Sequence, residues 1–209
     1  MAVKNWIGLL LVIWLSGCAT LPPDSQHADL TPELLQAYEA HSEQLGQFDN
    51  WRASGKLAFI SPEQRQSSRV NWRHSAAETH ILLTNTLGVT LLEASQNVDG
   101  ASMTVDGEHY QGQSLADLIA QLSGYRAPFD AMNRWLTGYA DLKTINDVSL
   151  DSNGYLLGFS QYLPSWGMWR VEYNGYYPAT DEQPALPSQI TLKHPNLTLK
   201  LAISRWQSQ

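Results

Sequence analysis

Apolar and polar positions alternate along most of the chain after residue 50. The clearest case is the stretch 197–203, where every second residue is Leu or Ile and the residues between them are Thr, Lys and Ala. Such alternation is typical of a β-strand with one covered face and one face in water. Together with the β-branched and aromatic residues, it predicts nine strands, at residues 51–60, 68–72, 79–84, 89–94, 102–105, 155–162, 168–173, 189–193 and 197–206.

Three other segments carry the helical period instead. The first begins with a hydroxyl cap and a first-turn proline at positions 31 and 32 and runs to about Gly46. Ser114 caps the second, which ends at Gly124, and Asp130 precedes the third, which stops at Gly138. These elements predict a mainly β fold, a curved antiparallel sheet of nine or more strands with helices available to close its concave side. Such a body can hold a cavity.

The first eighteen residues follow a different pattern. One Lys precedes ten uncharged residues at 6–15, and the segment ends in Leu-Ser-Gly-Cys at 15–18. Ten helical residues cover roughly 15 Å, about half of a ~30 Å hydrocarbon core, so the pattern favours a cleaved bacterial signal peptide over a membrane-spanning helix. The ending resembles the lipobox of bacterial lipoproteins. The alternative, a buried cysteine in an ordinary N-terminal helix, leaves the order of these features unexplained.

This resemblance implies that residues 1–17 are a signal peptide and that Cys18 is the acylated first residue of the mature chain. Ala19 follows it, where lipoproteins of the inner membrane commonly carry Asp, so the resemblance also implies sorting to the outer membrane. Residues 18–30 include two prolines and show no apolar period, which predicts a flexible tether. Residues 31–209 are then expected to form one domain.

The composition argues against several kinds of chemistry. The formal net charge of -7, from 13 Lys and Arg against 20 Asp and Glu, argues against a nucleic-acid partner. One cysteine and scattered histidines leave no metal-ligand spacing, and no nucleophile elbow or nucleotide- or cofactor-binding glycine motif is present. Asp147 and Asp151 lie among Asn, Ser and Gly, which favours turn acids over an acid/base pair. The sequence therefore predicts no catalytic, metal or cofactor site and no enzyme.

One segment, LLTNTLGVTLLE at 82–93, resembles the LolB family of outer-membrane lipoprotein receptors. Further similar motifs follow the family's order: GKLAFIS at 55–61, LSG at 122–124 followed by Pro128, RWLTG at 134–138, WRVEY at 169–173 and PALP at 184–187. The family usually has Pro where this chain has Thr86. Together with the lipobox, these motifs span nearly the whole chain.

The resemblance implies an incomplete, unclosed antiparallel β-barrel capped by helices around a lipid-binding cavity. It also implies that the protein accepts lipoproteins from the soluble periplasmic carrier LolA and places them in the outer membrane. The family's protruding leucine corresponds to Leu87, between the turn-forming residues Asn85 and Gly88. From the residues alone, Leu87 is equally compatible with a plug that folds back into the core.

Six tryptophans beyond the signal peptide and nine tyrosines suit an apolar ligand, although ordinary core packing would also use them. We hypothesise that acyl chains bind without nucleotide hydrolysis on the concave face, with candidate residues Phe59, Trp72, Leu82, Leu91, Met103, Leu118, Leu122, Trp135 and Trp169. The expected partners are LolA, acylated cargo and outer-membrane phospholipid, and the protein is expected to be a monomer. The alternative is a non-enzymatic structural lipoprotein that supports an outer-membrane assembly complex and binds no lipid.

Overall fold

The computed structural model of the chain describes residues 30–209. That part contains three α-helices, α1 (Pro32–Gln47), α2 (Leu115–Ser123) and α3 (Phe129–Thr137). Its β-strands are β1 (Trp51–Ile60), β2 (Arg65–His74), β3 (Glu78–Thr84), β4 (Thr90–Asn97), β5 (Gly100–Val105), β6 (Glu108–Gly112), β7 (Asn146–Leu150), β8 (Leu156–Leu163), β9 (Gly167–Tyr173), β10 (Tyr176–Tyr177), β11 (Leu186–Pro187), β12 (Gln189–His194) and β13 (Leu197–Ser208).

The predicted signal peptide (1–17), Cys18 and all but the last residue of the predicted tether (18–30) lie outside the described residues. Among residues 30–209, no helix is both long enough and apolar enough to cross a bilayer.

Eleven strands form one antiparallel sheet in the order β6-β5-β4-β3-β2-β1-β13-β12-β9-β8-β7, and β10 pairs with β11 as a short ribbon. The two outermost strands, β6 and β7, are not hydrogen-bonded to each other. The sheet is therefore an unclosed barrel with helices, as the sequence analysis predicts. The last strand, β13, lies beside the first, β1, in the middle of the sheet.

The pairing of β1 with β13 depends on a glycine. A register shift occurs between Ser54 and Gly55, which brings the backbones of the two strands very close together. A Cβ atom at Gly55 would lie 2.1 Å from the Ala202 carbonyl oxygen, well inside van der Waals contact. Only a residue without a side chain fits at this position.

Side-chain caps and left-handed glycines set the helix ends. The Thr31 hydroxyl accepts a hydrogen bond from the Leu34 N–H at 3.3 Å, and Ser114 caps α2 in the same way. The predicted start of α3 at Asp130 is wrong: the N-cap is Pro128, and Asp130 lies in the first turn. An acid there still favours the helix, because it faces the positive end of the helix dipole.

The sequence analysis missed both edges of the sheet. The β6 strand is polar, with only Tyr110 partly buried, so it has no apolar alternation. The β7 strand contains Asp147 in a left-handed conformation (φ 51°), at an irregular register with β8. Edge strands bury little surface and use polar residues and bulges to discourage further pairing, which weakens their sequence signal.

The core lies between the concave face of the sheet and the three helices. Its six largest fully buried side chains are aromatic: Trp51, Trp135, Trp169, Tyr38, Tyr173 and Phe159. The Trp135 ring lies 5.9 Å from Trp169 and 6.2 Å from Phe159, between centroids. These rings fill the interior of the sheet and hold the helices against it.

Candidate functional site

A tight turn between β3 and β4 presents Leu87 to solvent. The Asn85 side-chain oxygen accepts hydrogen bonds from the backbone N–H groups of Leu87 at 2.9 Å and Val89 at 3.0 Å. Gly88 takes the left-handed conformation that closes the turn (φ 86°). Leu87 is 87% exposed, so it does not fold back into the core. The two hydrogen bonds to the Asn85 side chain fix the shape of the turn.

Exposed apolar side chains occur at both ends of β4. Val89 follows Leu87 in the same turn and is also exposed, which enlarges the apolar tip. At the other end of β4, Val98 is 93% exposed in the turn that leads to β5. The two turns are similar in exposure and lie at opposite ends of the sheet, which makes Val98 a natural control for Leu87.

The inner face of the sheet near the Leu87 turn is incompletely covered. Arg69 pairs with both Lys56 and Thr84, so the stretch of β1 beyond residue 56 lies at the same end of the sheet as the turn. On the inner face there, a set of apolar side chains is only partly buried against the core. We call this set the rim; it consists of Leu57, Phe59, Leu83 and Leu92.

The segment 124–128 between α2 and α3 closes the rim on one side, and we call it the strap. The Tyr125 ring lies edge-on to Phe59, with 5.3 Å between centroids. Its hydroxyl donates a hydrogen bond to the Glu63 carboxylate in the β1–β2 turn. This bond lowers the pKa of Glu63 and raises the pKa of Tyr125. Tyr125 therefore ties the strap to the sheet by an apolar and a polar contact. Arg126 adds a second tie, since its guanidinium lies 5.6 Å from the centroid of the Trp166 ring in the β8–β9 turn.

Five of the predicted cavity residues are buried in the core: Trp72, Met103 and Trp169 on the sheet, and Leu118 and Trp135 on α2 and α3. Their polar atoms are satisfied within the protein. The Trp72 Nε1–H donates to Asn133 Oδ1 at 3.0 Å, and the Trp135 Nε1–H donates to Gln161 Oε1 at 3.0 Å. These residues pack against one another, so the predicted cavity is filled by the protein's own side chains in this structure.

The remaining predicted cavity residues divide into two groups. Phe59 belongs to the rim, and Leu122 on α2 is 39% exposed. Leu82 and Leu91 are corrections, because the inner-face pair at this level of β3 and β4 is Leu83 with Leu92. Successive strand residues point to opposite faces, so both predicted leucines lie on the outer face.

Polar side chains contribute about half or more of the lining of two surface depressions in the described part. One, of about 490 Å³, lies where the strap meets the β1–β2 turn and is lined by Pro62, Glu63, Gln64, Ser123, Gly124, Tyr125 and Asn196. The other, of about 290 Å³, lies on the β4–β6 edge and is lined by Ser95, Asn97, Asp99, Gly100, Ala101, Ser102, Gln111 and Gly112. Neither has the predominantly apolar lining that an acyl chain needs.

The acidic residues of the described part do not form a reaction centre. The Asp151 carboxylate accepts backbone hydrogen bonds from Asn153 and Tyr155, both at 2.9 Å, which is the predicted turn role. Asp147 lies within β7 instead of a turn, so that part of the prediction is wrong. Within residues 30–209, no three His, Cys, Asp or Glu side chains group together in a way that could hold a metal ion.

A family model and curated relatives connect this chain to one family. A family model described as "Outer membrane lipoprotein LolB" matches residues 49–206. The outer-membrane lipoprotein LolB of Shewanella sp. (strain MR-4) is 31% identical over 210 residues, covering 99% of this chain and 90% of that protein. The protein of the same name from Vibrio cholerae is 31% identical over 202 residues, covering 95% and 93%.

Solved structures with a similar fold share little sequence with this chain. A LolA superfamily protein from Nitrosomonas europaea superimposes with a TM-score of 0.54 at 11% identity, covering 87% of this chain and 94% of that one. A putative outer-membrane lipoprotein-sorting protein domain from Vibrio parahaemolyticus gives a TM-score of 0.51 at 9% identity, covering 85% and 91%. At these identities the likeness concerns the fold alone.

Proposed function

The chain belongs to the LolB family of outer-membrane lipoproteins, and from this premise we propose that it receives acylated lipoproteins from the periplasmic carrier LolA and inserts them into the outer membrane. The observation that carries the proposal is the rigid, exposed Leu87 turn at the same end of the sheet as the partly buried apolar rim. Cys18 would anchor the protein. We expect no enzymatic activity and no nucleotide hydrolysis.

The cargo's acyl chains set the physical requirement. A sixteen-carbon chain costs on the order of 10 kcal/mol to keep in water, at about 0.8 kcal/mol per CH₂. A receptor must therefore cover most of the chain with apolar side chains. In this proposal the rim provides the first contact, and the buried aromatics, such as Trp72 on the sheet and Trp135 on α3, provide the lining once space opens between helix and sheet.

The strap is the element we expect to move. It is held to the sheet at the surface through Tyr125, which contacts Phe59 and Glu63, and through Arg126, which lies over the Trp166 ring. Displacing the strap would expose the rim and lift the adjoining end of α2 without breaking any strand pairing. Elements with few buried contacts and solvent-exposed hydrogen bonds open at low free-energy cost, which makes the strap a better candidate than the sheet.

Direction would come from a gradient of affinities. The carrier would bind the acyl chains more weakly than this protein, and this protein more weakly than the bilayer. Leu87 would contribute at the last step by inserting into the boundary between headgroups and acyl chains. An exposed leucine is unfavourable in water and favourable there, so the tip would help to hold the rim at the membrane during release.

Two assays test the proposal on the chain from residue 18 with Cys18→Ala, which removes only the lipid attachment. A labelled lipoprotein bound to LolA should move to this protein without added nucleotide. A fluorescent fatty acid should bind it and be displaced by lipoprotein. No transfer from LolA would overturn the proposal.

A crosslink between Phe59→Cys and Tyr125→Cys tests the opening step. Cys18 is the chain's only cysteine, so in the Cys18→Ala background the engineered pair supplies the only thiols. Oxidation or a short bifunctional reagent would lock the strap to the sheet. We expect the locked protein to lose fatty-acid uptake and the reduced protein to regain it. Equal uptake in both states would exclude the strap as the opening.

The filled interior favours one alternative, a structural lipoprotein that supports an outer-membrane assembly complex. That protein would bind neither the fluorescent fatty acid nor the cargo in either state of the crosslink. The two functions are thus separated by the same pair of measurements.

A further inference from the structure

Basic residues are concentrated on three neighbouring strands in the middle of the sheet. Strands β2, β1 and β13 carry seven Lys and Arg residues and no Asp or Glu, in a chain whose net charge is -7. We call these residues the basic face; they are Arg52, Lys56, Arg65, Arg69, Arg73, Lys200 and Arg205. The average composition of the chain conceals this separation of charge.

The strand alternation places the basic face on the outside of the sheet. Arg52 lies between the buried residues Trp51 and Ala53, and Arg73 follows the buried Trp72. Lys200 likewise lies between two buried leucines of β13. The basic side chains therefore point away from the core and the helices, towards solvent.

Like charges face each other directly across strands within this surface. Arg52 is paired with Arg73, and Lys56 is paired with Arg69. The ion pairs of residues 30–209 involve other side chains: Arg170 with Glu172, Lys193 with Glu172, and His80 with Glu93. Like charges directly opposite each other destabilise a strand pair. These two pairs of opposed bases have no carboxylate paired to them. We therefore infer that the anion that compensates their charge comes from outside the chain.

The position of the basic face relative to the apolar tip identifies the kind of anion. Arg69 pairs with Thr84, the last residue of β3, and Leu87 follows three residues later. The Lys56–Arg69 rung therefore lies at the base of the turn that exposes Leu87. Bases beside an exposed apolar tip fit a lipid surface, where phosphates lie above hydrocarbon. An acidic protein surface would match the charges but not the leucine.

We propose that the basic face docks on the anionic headgroups of a phospholipid bilayer and directs the Leu87 tip into it. This inference rests on the proposed function only in placing the protein at a membrane during release. Because the chain as a whole is negative, an anionic surface would attract this face and repel the others. Docking would thus set the orientation of the molecule as well as its distance from the bilayer.

Vesicle binding by the Cys18→Ala chain tests the proposal. The protein should sediment with vesicles of equimolar phosphatidylcholine and phosphatidylglycerol, bind pure phosphatidylcholine far less, and dissociate as salt is raised. Each base near an anionic surface contributes a factor of about five in affinity, so Lys56→Gln with Arg69→Gln should weaken binding roughly twenty-five-fold. The matched control, Arg134→Gln with Lys143→Gln, makes the same change in net charge at exposed residues elsewhere and should change binding by less than about twofold.

Equal losses of vesicle affinity in the two double variants, or no loss in either, would overturn the proposal. Vesicle binding that does not depend on phosphatidylglycerol would also overturn it. Folding is checked by thermal unfolding, where relief of the like-charge rung should leave the midpoint unchanged or raised. If Lys56→Gln with Arg69→Gln slowed transfer from LolA in solution but left vesicle binding intact, the face would dock an acidic protein and the lipid assignment would be wrong.

Failure of the proposed function would have a different signature. A protein that binds the anionic vesicles as described but takes no lipoprotein from LolA would keep the basic face as a membrane surface and lose the receptor role. A protein that takes lipoprotein from LolA but does not bind the vesicles would keep the receptor role, and the basic face would not be a membrane surface.

Discussion

Leu87→Glu changes the tip of the β3–β4 turn without touching the core. The side chain is 87% exposed, so nearly all of its apolar surface is available for burial in a bilayer. Full burial of a leucine is worth about 1.5 to 3 kcal/mol, which corresponds to a factor of roughly 10 to 150 in membrane affinity. Glutamate removes this gain and adds a charge that must stay hydrated.

The two steps of transfer should respond differently to this change. Uptake of labelled lipoprotein from LolA should proceed nearly as in the parent chain, since the turn lies outside the core. Release into liposomes should slow by at least about tenfold, because the tip no longer enters the bilayer. The measurement is stopped-flow or time-resolved separation of cargo between protein and liposomes.

Val98→Glu is the matched control, since Val98 is equally exposed at the other end of β4. Both variants should unfold within about 0.5 kcal/mol of the parent, as surface substitutions usually do. Equal slowing of release by the two variants would mean that added charge, and not the Leu87 position, causes the effect. Equal loss of uptake and release in Leu87→Glu would show a structural role and refute the reasoning.

Three further predictions concern the fold and the strap. Gly55→Ala should cost about 3 kcal/mol or more in urea unfolding, because its Cβ would lie 2.1 Å from the Ala202 oxygen and force β1 from β13. Tyr125→Phe keeps the ring but removes the hydrogen bond to Glu63, so fatty-acid uptake should become faster with little change in thermal midpoint; unchanged or slower uptake would count against the strap. Burial lowers the pKa of His41 below its ordinary value of 6.5, so the unfolded chain takes up the proton first and the unfolding free energy should fall as pH drops below 6.5. His41→Gln should flatten part of that slope in urea titrations on either side of this pH, and an unchanged slope would exclude His41 as its source.

The central strands were predictable because their apolar residues alternate. In β13 buried leucines alternate with outward polar residues, so the sequence predicts both the strand and its buried face. The segment around Leu82 and Leu91 is different, since each lies next to a second leucine. With apolar residues on both faces, only pairing with neighbouring strands decides which leucine is buried, and the sequence analysis chose the wrong one of each pair.

The site was predictable only in its most local part. The Leu87 turn carries its own signal in Asn85 and Gly88, and the structure shows both acting as turn formers. The rim and the basic face depend on register across several strands, so no contiguous segment reveals them. A tryptophan such as Trp135 has the same pattern whether it fills a core or lines a cavity, and a net charge says nothing about where the charges lie.

The place of β13 between β1 and β12 has a consequence for how the chain is made. Secreted chains cross the inner membrane N-terminus first, so the strands from β1 to β6 arrive in the periplasm before residues 197–208. Until those residues arrive, the apolar faces of the earlier strands are incompletely covered. The two halves of the sheet are joined only when that late strand arrives and bonds to both. Folding therefore waits for translocation to finish, and a nascent chain stalled just short of β13 is a ready substrate for periplasmic proteases.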